Sequence, residues 1–139
     1  MIKFPFSYTL DHIGIAVPSL EEGGRLYQAL GFKEVHIEEV VSEGVRVGTY
    51  GLSNGSKIEL LEPLSEKSPV AKFLKKKGSG VHHIALGVEN LAEVLKRLKA
   101  VGIRTVYDEP RPGAHNCLIG FIHPSAAGGV LIELSEKQS

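Results

Sequence analysis

The sequence predicts an α+β fold of two tandem βαβββ modules, forming a curved mixed sheet around a metal-containing cleft. Three repeats carry that reading. Asp11-His12-Ile13-Gly14-Ile15-Ala16-Val17 is answered seventy-one residues later by His83-Ile84-Ala85-Leu86-Gly87-Val88. Each copy runs on into a helix cap, an apolar stripe and a glycine stop. Each half then closes on a strand with one carboxylate among aliphatics, Ile58-Glu59-Leu60 and Ile132-Glu133-Leu134. A strand-helix-strand-strand-strand unit written twice in one chain is hard to obtain by chance.

The two opening strands alternate at period two, with Ile13, Ile15 and Val17 (and Ile84, Leu86 and Val88) on the face expected to be buried. The other face carries one imidazole and then residues with almost no side chain, which implies open space before each histidine. Ser19 with Glu22 forms a capping box and Gly31 a stop, so residues 20–30 should be helical, although Gly23 and Gly24 weaken the pattern. Val35–Val41, Val45–Leu52 and Lys57–Glu62 read as strands, the last two joined at Asn54-Gly55, a hairpin signal. Module one covers about 9–63. Ser68 as cap, Pro69 at the first position and Gly78 beyond the end describe a linker helix over about 68–78. Module two, about 80–136, repeats the plan. Asn90 and Glu93 cap a helix whose Leu91, Val94, Leu95, Leu98 and Val101 recur at helical spacing up to Gly102. Ile103–Tyr107 then reads as a strand and Asp108–Ala114 as a Pro/Gly-rich loop. Asn116–Ile122 and Gly129–Ser135 pair across the turn 123–128.

The 139 residues suffice for one domain. Sixteen basic and sixteen acidic residues balance, which argues against nucleic acid or an anionic membrane as partner. No apolar run has the length of a membrane helix, and no signal-peptide pattern opens the chain. Cys117 is the one cysteine, so no internal disulfide forms. A cytoplasmic globular protein is expected.

Glu59 and Glu133 fall on the strand face opposite their aliphatic neighbours, the face assigned to His12 and His83. A lone strand histidine is more often a hydrogen-bonded core or surface residue than a ligand, and a lone glutamate between aliphatics is usually a wet edge. Four such residues at equivalent places in two copies favour a metal site, and two imidazoles with two carboxylates suit a divalent transition metal. The other histidines lack that support. His36 reads as surface, His82 as a satisfied partner and His123 as a turn residue, while His115 is placed near substrate. Cys117 reads as a small hydrophobe. Lys75, Lys76 and Lys77 complement the dipole at their helix end, and Lys75 and Lys76 are candidate contacts for a phosphorylated ligand.

These segments resemble the vicinal oxygen chelate superfamily, which includes glyoxalase I and the extradiol dioxygenases. Within it the chain is similar to the methylmalonyl-CoA epimerases. The matching stretches are Asp11–Val17, Ile58–Pro63, Ser68–Leu74 leading to Gly80–Leu86, Asp108–Pro110 with Gly113–His115, and Phe121–Pro124 through Gly129–Leu134. The resemblance implies His12, Glu59, His83 and Glu133 as ligands of one divalent metal ion, cobalt first, with nickel, zinc or manganese also suited. It implies interconversion of the two epimers of an acyl-CoA substrate, with Glu133 as ligand and proton-transfer residue, in a homodimer. The chain departs from the family at Val47, where some members carry a glutamate. Glu43, in phase with Val45 and Val47, is the candidate substitute; the alternatives are a single base, a water or a different residue. A glyoxalase I-like isomerase acting on a glutathione hemithioacetal is the nearest rival. A dioxygenase is disfavoured by the fourth ligand, and a metal-free binding protein by the presence of all four.

Overall fold

The computed structural model describes residues 7–139. Its contacts divide the described chain into two units: residues 12–82, and residues 83–139 together with residues 7–11. The first module runs β1 (Thr9–Ala16), α1 (Leu20–Gly23), α2 (Arg25–Ala29), β2 (His36–Val40), β3 (Val45–Gly51) and β4 (Lys57–Pro63), followed by α3 (Pro69–Lys77). Its strands lie in the order β2-β3-β4-β1, antiparallel except for the parallel β1–β4 pair. The second runs β5 (Gly80–Gly87), α4 (Leu91–Ala100), β6 (Arg111–Pro112), β7 (Cys117–Ile122) and β8 (Ile132–Lys137). Its order, β5-β8-β7-β6, repeats the first with β5–β8 as the parallel pair. The expected mixed α+β architecture is borne out.

Helix starts follow the predicted caps. Ser19 Oγ accepts from Glu22 N–H at 3.1 Å, Asn90 Oδ1 from Glu93 N–H at 3.2 Å and Ser68 Oγ from Val70 N–H at 3.1 Å. A second cap has no local sequence signature. Glu62, at the end of β4, accepts from Leu20 N–H at 2.8 Å, and Glu136, near the end of β8, accepts from Leu91 N–H at 2.6 Å. Each module thus uses a carboxylate three residues past Glu59 or Glu133 to satisfy the first amide of its own helix, where the dipole favours negative charge.

In each module the helices cover one face of the sheet. In the second unit Leu91, Val94, Leu95 and Leu98 of α4 pack on Leu134 and Val88, with Leu86, Leu118, Ile122 and Ile132 around them. In the first, Leu20 and Tyr27 pack with Val17, Tyr50, Leu60, Ile15 and Ile58. Glycine lets the helix approach. A Cβ at Gly120 would stand 3.2 Å from Leu95, one at Gly48 3.4 Å from Leu20, and one at Gly23 2.8 Å from Val17. The glycines that weaken the helical pattern at 23 and 24 therefore seat it, the second beneath the Tyr50 hydroxyl.

Several expectations are corrected. The helix over 20–30 is two short pieces, because Gly23 and Gly24 trade helix continuity for that close seat. Ile103–Tyr107 forms a single bridge, Thr105 to Ile122, instead of a strand. The next pair along β7 is Arg111 with Ile119, inside the stretch expected to be loop. Extra residues around Pro110 bulge out of this edge, which proline interrupts by lacking an amide donor. Pairing of β8 begins at Ile132, not Gly129, because the preceding turn is still hydrogen-bonded at Val130 N–H. Glu43 does not continue the β3 alternation. It ends a 3-10 turn, and Gly44 at φ 67° redirects the chain. The histidine face of β1 is also the more enclosed: His12, Gly14 and Ala16 are buried while Ile13 and Ile15 are half-buried. The space beside Gly87 is filled by Thr9, whose Oγ1 lies 2.5 Å from where a Cβ would be.

Two stability measurements follow. Gly23→Ala should cost about 1–3 kcal/mol in urea denaturation, against the sign of helix propensity, and cost less in a Val17→Ala background. Glu136→Ala should cost about 1–2 kcal/mol, with part recovered in Glu136→Gln, whose amide oxygen still accepts.

Candidate metal centre

Strand register brings the predicted residues together within each module. In the first, Glu59 of β4 stands opposite Gly14 of β1, and His12 lies two residues earlier on the same face. Their side chains meet across that diagonal, Nε2 to Oε1 at 3.3 Å, almost fully buried. In the second, Glu133 of β8 stands opposite Ala85 of β5, with His83 two residues earlier, and Nε2 again lies 3.3 Å from Oε1 in a buried setting. On the parallel partner strand the residue facing each carboxylate is Gly14 or Ala85.

The chemistry of each pair fits a cation. Both imidazoles present Nε2 to a carboxylate oxygen. Two donors each about 2.1 Å from one ion, at angles between 90° and 110°, stand roughly 3.0–3.4 Å apart. Burying a carboxylate is expensive unless it is paired or coordinates a metal. No buried side-chain nitrogen or oxygen among the described residues lacks a hydrogen-bond partner.

Different residues stand beside the donors in the two modules. In module one Thr49, a buried polar residue, stands opposite Glu59 in register, and Val47, 3% exposed, stands opposite Leu61 two positions along the same face. In module two the place opposite Glu133 is taken by Phe121, whose ring lies edge-on to His83 with centroids 6.1 Å apart. Tyr107 in turn meets Phe121 edge-on at 6.1 Å, and the Arg111 guanidinium sits 4.2 Å above the Tyr107 ring. Sequence reasoning passed over Phe121, Tyr107 and Arg111. The period-two position of Phe121 opposite Glu133 is the one signal that could have pointed to them.

The remaining candidates fall elsewhere. His82 stacks edge-on against Phe73 at 5.0 Å, and burial holds its imidazole below the ordinary histidine range. His36 is exposed, 3.4 Å from Glu38, and His123 accepts from Ser125 N–H in the turn predicted for it. His115 is half-buried, with a left-handed backbone at φ 58° that is uncommon for a side-chain-bearing residue. Lys75 and Lys76 are exposed in the last turn of α3, and Lys77 lies over the Phe73 ring at 5.6 Å. Glu43 is half-buried. No helix among the described residues is long and apolar enough to cross a membrane.

A sequence profile of the Glyoxalase/Bleomycin resistance protein/Dioxygenase superfamily matches residues 11–121. The chain is 43% identical over 131 residues to a mitochondrial methylmalonyl-CoA epimerase of Dictyostelium discoideum, covering 92% of this chain and 78% of that protein. Its fold is similar to the crystal structure of methylmalonyl-CoA epimerase from Mycobacterium tuberculosis, with a TM-score of 0.88 and 42% identity over 94% of this chain and 88% of the other. It is also similar to a methylmalonyl-CoA epimerase in complex with methylmalonyl-CoA and NH4+, with a TM-score of 0.86 and 40% identity over 94% of both chains.

Zinc added to metal-free protein should shift the Nε2 resonances of His12 and His83 in an imidazole nitrogen NMR spectrum and leave those of His36 and His123 in place. Unmoved His12 and His83 would remove both as ligands.

Proposed function

This chain belongs to the methylmalonyl-CoA epimerases of the glyoxalase superfamily, and from that premise we propose that it interconverts the two epimers of methylmalonyl-CoA. The observation that carries the reading is the buried imidazole–carboxylate diagonal repeated in both modules, in a chain about two-fifths identical to named epimerases over nine-tenths of its length.

The reaction removes the proton from the carbon between thioester and carboxylate and returns one to the opposite face. We assign His12, Glu59, His83 and Glu133 as ligands of one divalent metal ion, for which the nitrogen and oxygen donor set suits cobalt, nickel, zinc or manganese, cobalt being the family expectation. When bound, such an ion supplies Lewis acidity for the negative charge that develops on the thioester oxygen. Glu133 holds the other role of a carboxylate, transfer of the proton at the acidic carbon. Phe121 and Tyr107 wall the His83–Glu133 side with apolar surface, which excludes water from the developing charge. Val47, a buried hydrophobe, moves no proton. For return of the proton on the second face we propose Glu43, which is half-buried at the end of the turn before β3; the role rests on that place in the chain and not on strand phase. We also assign His115 as a substrate contact, and Lys75 and Lys76 as contacts for its phosphorylated end. The place of the reaction in propionyl-CoA metabolism, a homodimeric assembly and a cytoplasmic setting complete the reading. The first two follow the family, and the last is supported by the lone Cys117.

In heavy water, (2R)-methylmalonyl-CoA should take up deuterium at C2 and yield the other epimer. Glu133→Gln should lose roughly a hundredfold or more in kcat while retaining most of its metal. Equal loss of metal and rate would reduce Glu133 to a ligand. Turnover of a glutathione hemithioacetal without exchange into methylmalonyl-CoA would replace this reading with a glyoxalase one.

A further inference from the structure

We propose that Arg111 holds a phosphate of the CoA portion of the substrate, an inference that rests on the acyl-CoA reading above. Arg111 lies on β6 opposite Ile119, Ile119 lies opposite Ser135 of β8, and Phe121 lies opposite Glu133. Because cross-strand partners share a face and residues two apart return to it, Arg111, Phe121 and Glu133 project from the same side of the module-two sheet. That side is the one α4 leaves uncovered, since the helix packs on Leu118, Ile122, Ile132 and Leu134.

The guanidinium is set there by stacking. It lies 4.2 Å over the Tyr107 ring, and that ring is braced in series against Phe121 and His83. Arg46 pairs with Glu39 and Glu62, and Arg97 pairs with Glu93. Arg111, half-buried, makes no ion pair among the described residues. Stacking occupies the flat face of a guanidinium and leaves its edge of N–H donors available, in a fork that matches two oxygens of a phosphate. A partly buried cation held in place without a protein anion is arranged for one that arrives with a ligand.

Distance selects which anion. Two strand spacings and two residues along the strand separate the Arg111 backbone from that of Glu133, about 12 Å. The substrate's carboxylate is attached directly to the reacting carbon, whereas the phosphates lie beyond the pantetheine arm. A cation at that remove meets the phosphate end. The 3′-phosphate and the pyrophosphate share this chemistry, and truncated substrates separate them.

The test compares KM and kcat for the methylmalonyl thioesters of CoA, dephospho-CoA and pantetheine, in the wild type, Arg111→Met and Arg111→Lys. Arg111→Met should raise KM for the CoA thioester roughly tenfold with little change in kcat, and leave the pantetheine thioester unaffected. Arg111→Lys, which keeps the charge without the fork, should recover part of the loss. An effect that persists with dephospho-CoA assigns the pyrophosphate, and one that vanishes assigns the 3′-phosphate; both support the proposal. An equal KM shift for all three thioesters, a fall in kcat alone, or no change overturns it and leaves Arg111 as a brace for the edge strand. Absence of turnover by the wild type on every thioester would refute the epimerase reading instead. CoA titrated calorimetrically then decides the phosphate site, since binding roughly tenfold weaker in Arg111→Met sustains it and equal binding overturns it.

Discussion

Everything around the candidate centre depends on the register of two parallel strand pairs. Sliding β4 by one residue against β1 would send Glu59 to the helix-covered face and replace it with an aliphatic. The same slip of β8 against β5 would exchange Glu133 for Ile132 or Leu134. Register is held from the other side of the sheet, where Leu60 and Leu134, both under 3% exposed, are locked into the helix-facing cores. Position of the polar residues is thus set by the packing of their apolar neighbours, one residue away along the same strands.

That arrangement has an energetic logic. Burying an imidazole and a carboxylate is unfavourable unless each is paired. Each module pairs the two across a diagonal, with small and apolar residues among their neighbours: Gly14 and Ala85 on the parallel partner strands, Val47 and Leu61 beside one pair, Phe121 beside the other. The same strands also serve the helices. Glu62 and Glu136, three residues beyond the buried carboxylates, reach the first helical amides, so one strand end both presents the donor and anchors the helix that fixes its register.

The halves have diverged where the repeat is least constrained by packing. The edge strand β2 is continuous, while its counterpart breaks between Thr105 and Arg111. The break places Tyr107 against Phe121 and brings Arg111 back over Tyr107. On the donor face of module one, Thr49 takes the place that Phe121 holds in module two. One internal repeat therefore supports two different surroundings for the same imidazole–carboxylate pair.

Sequence alone determined the repeat, the alternation, the helix caps at Ser19, Ser68 and Asn90, and the strand face shared by His12, Glu59, His83 and Glu133. Each of these is written in local spacing, and spacing at period two or 3.6 is direct evidence of which residues share a face. Tertiary structure decided the rest. Gly23 and Gly24 read as weak helix until Val17 and Tyr50 are seen against them, Glu62 and Glu136 read as strand ends until the helix amides arrive, and Glu43 loses its strand phase to the turn at Gly44. Arg111 was invisible because its partner is an aromatic face supplied by an interrupted edge strand, and no periodicity records a contact made by a chain that leaves the sheet and returns.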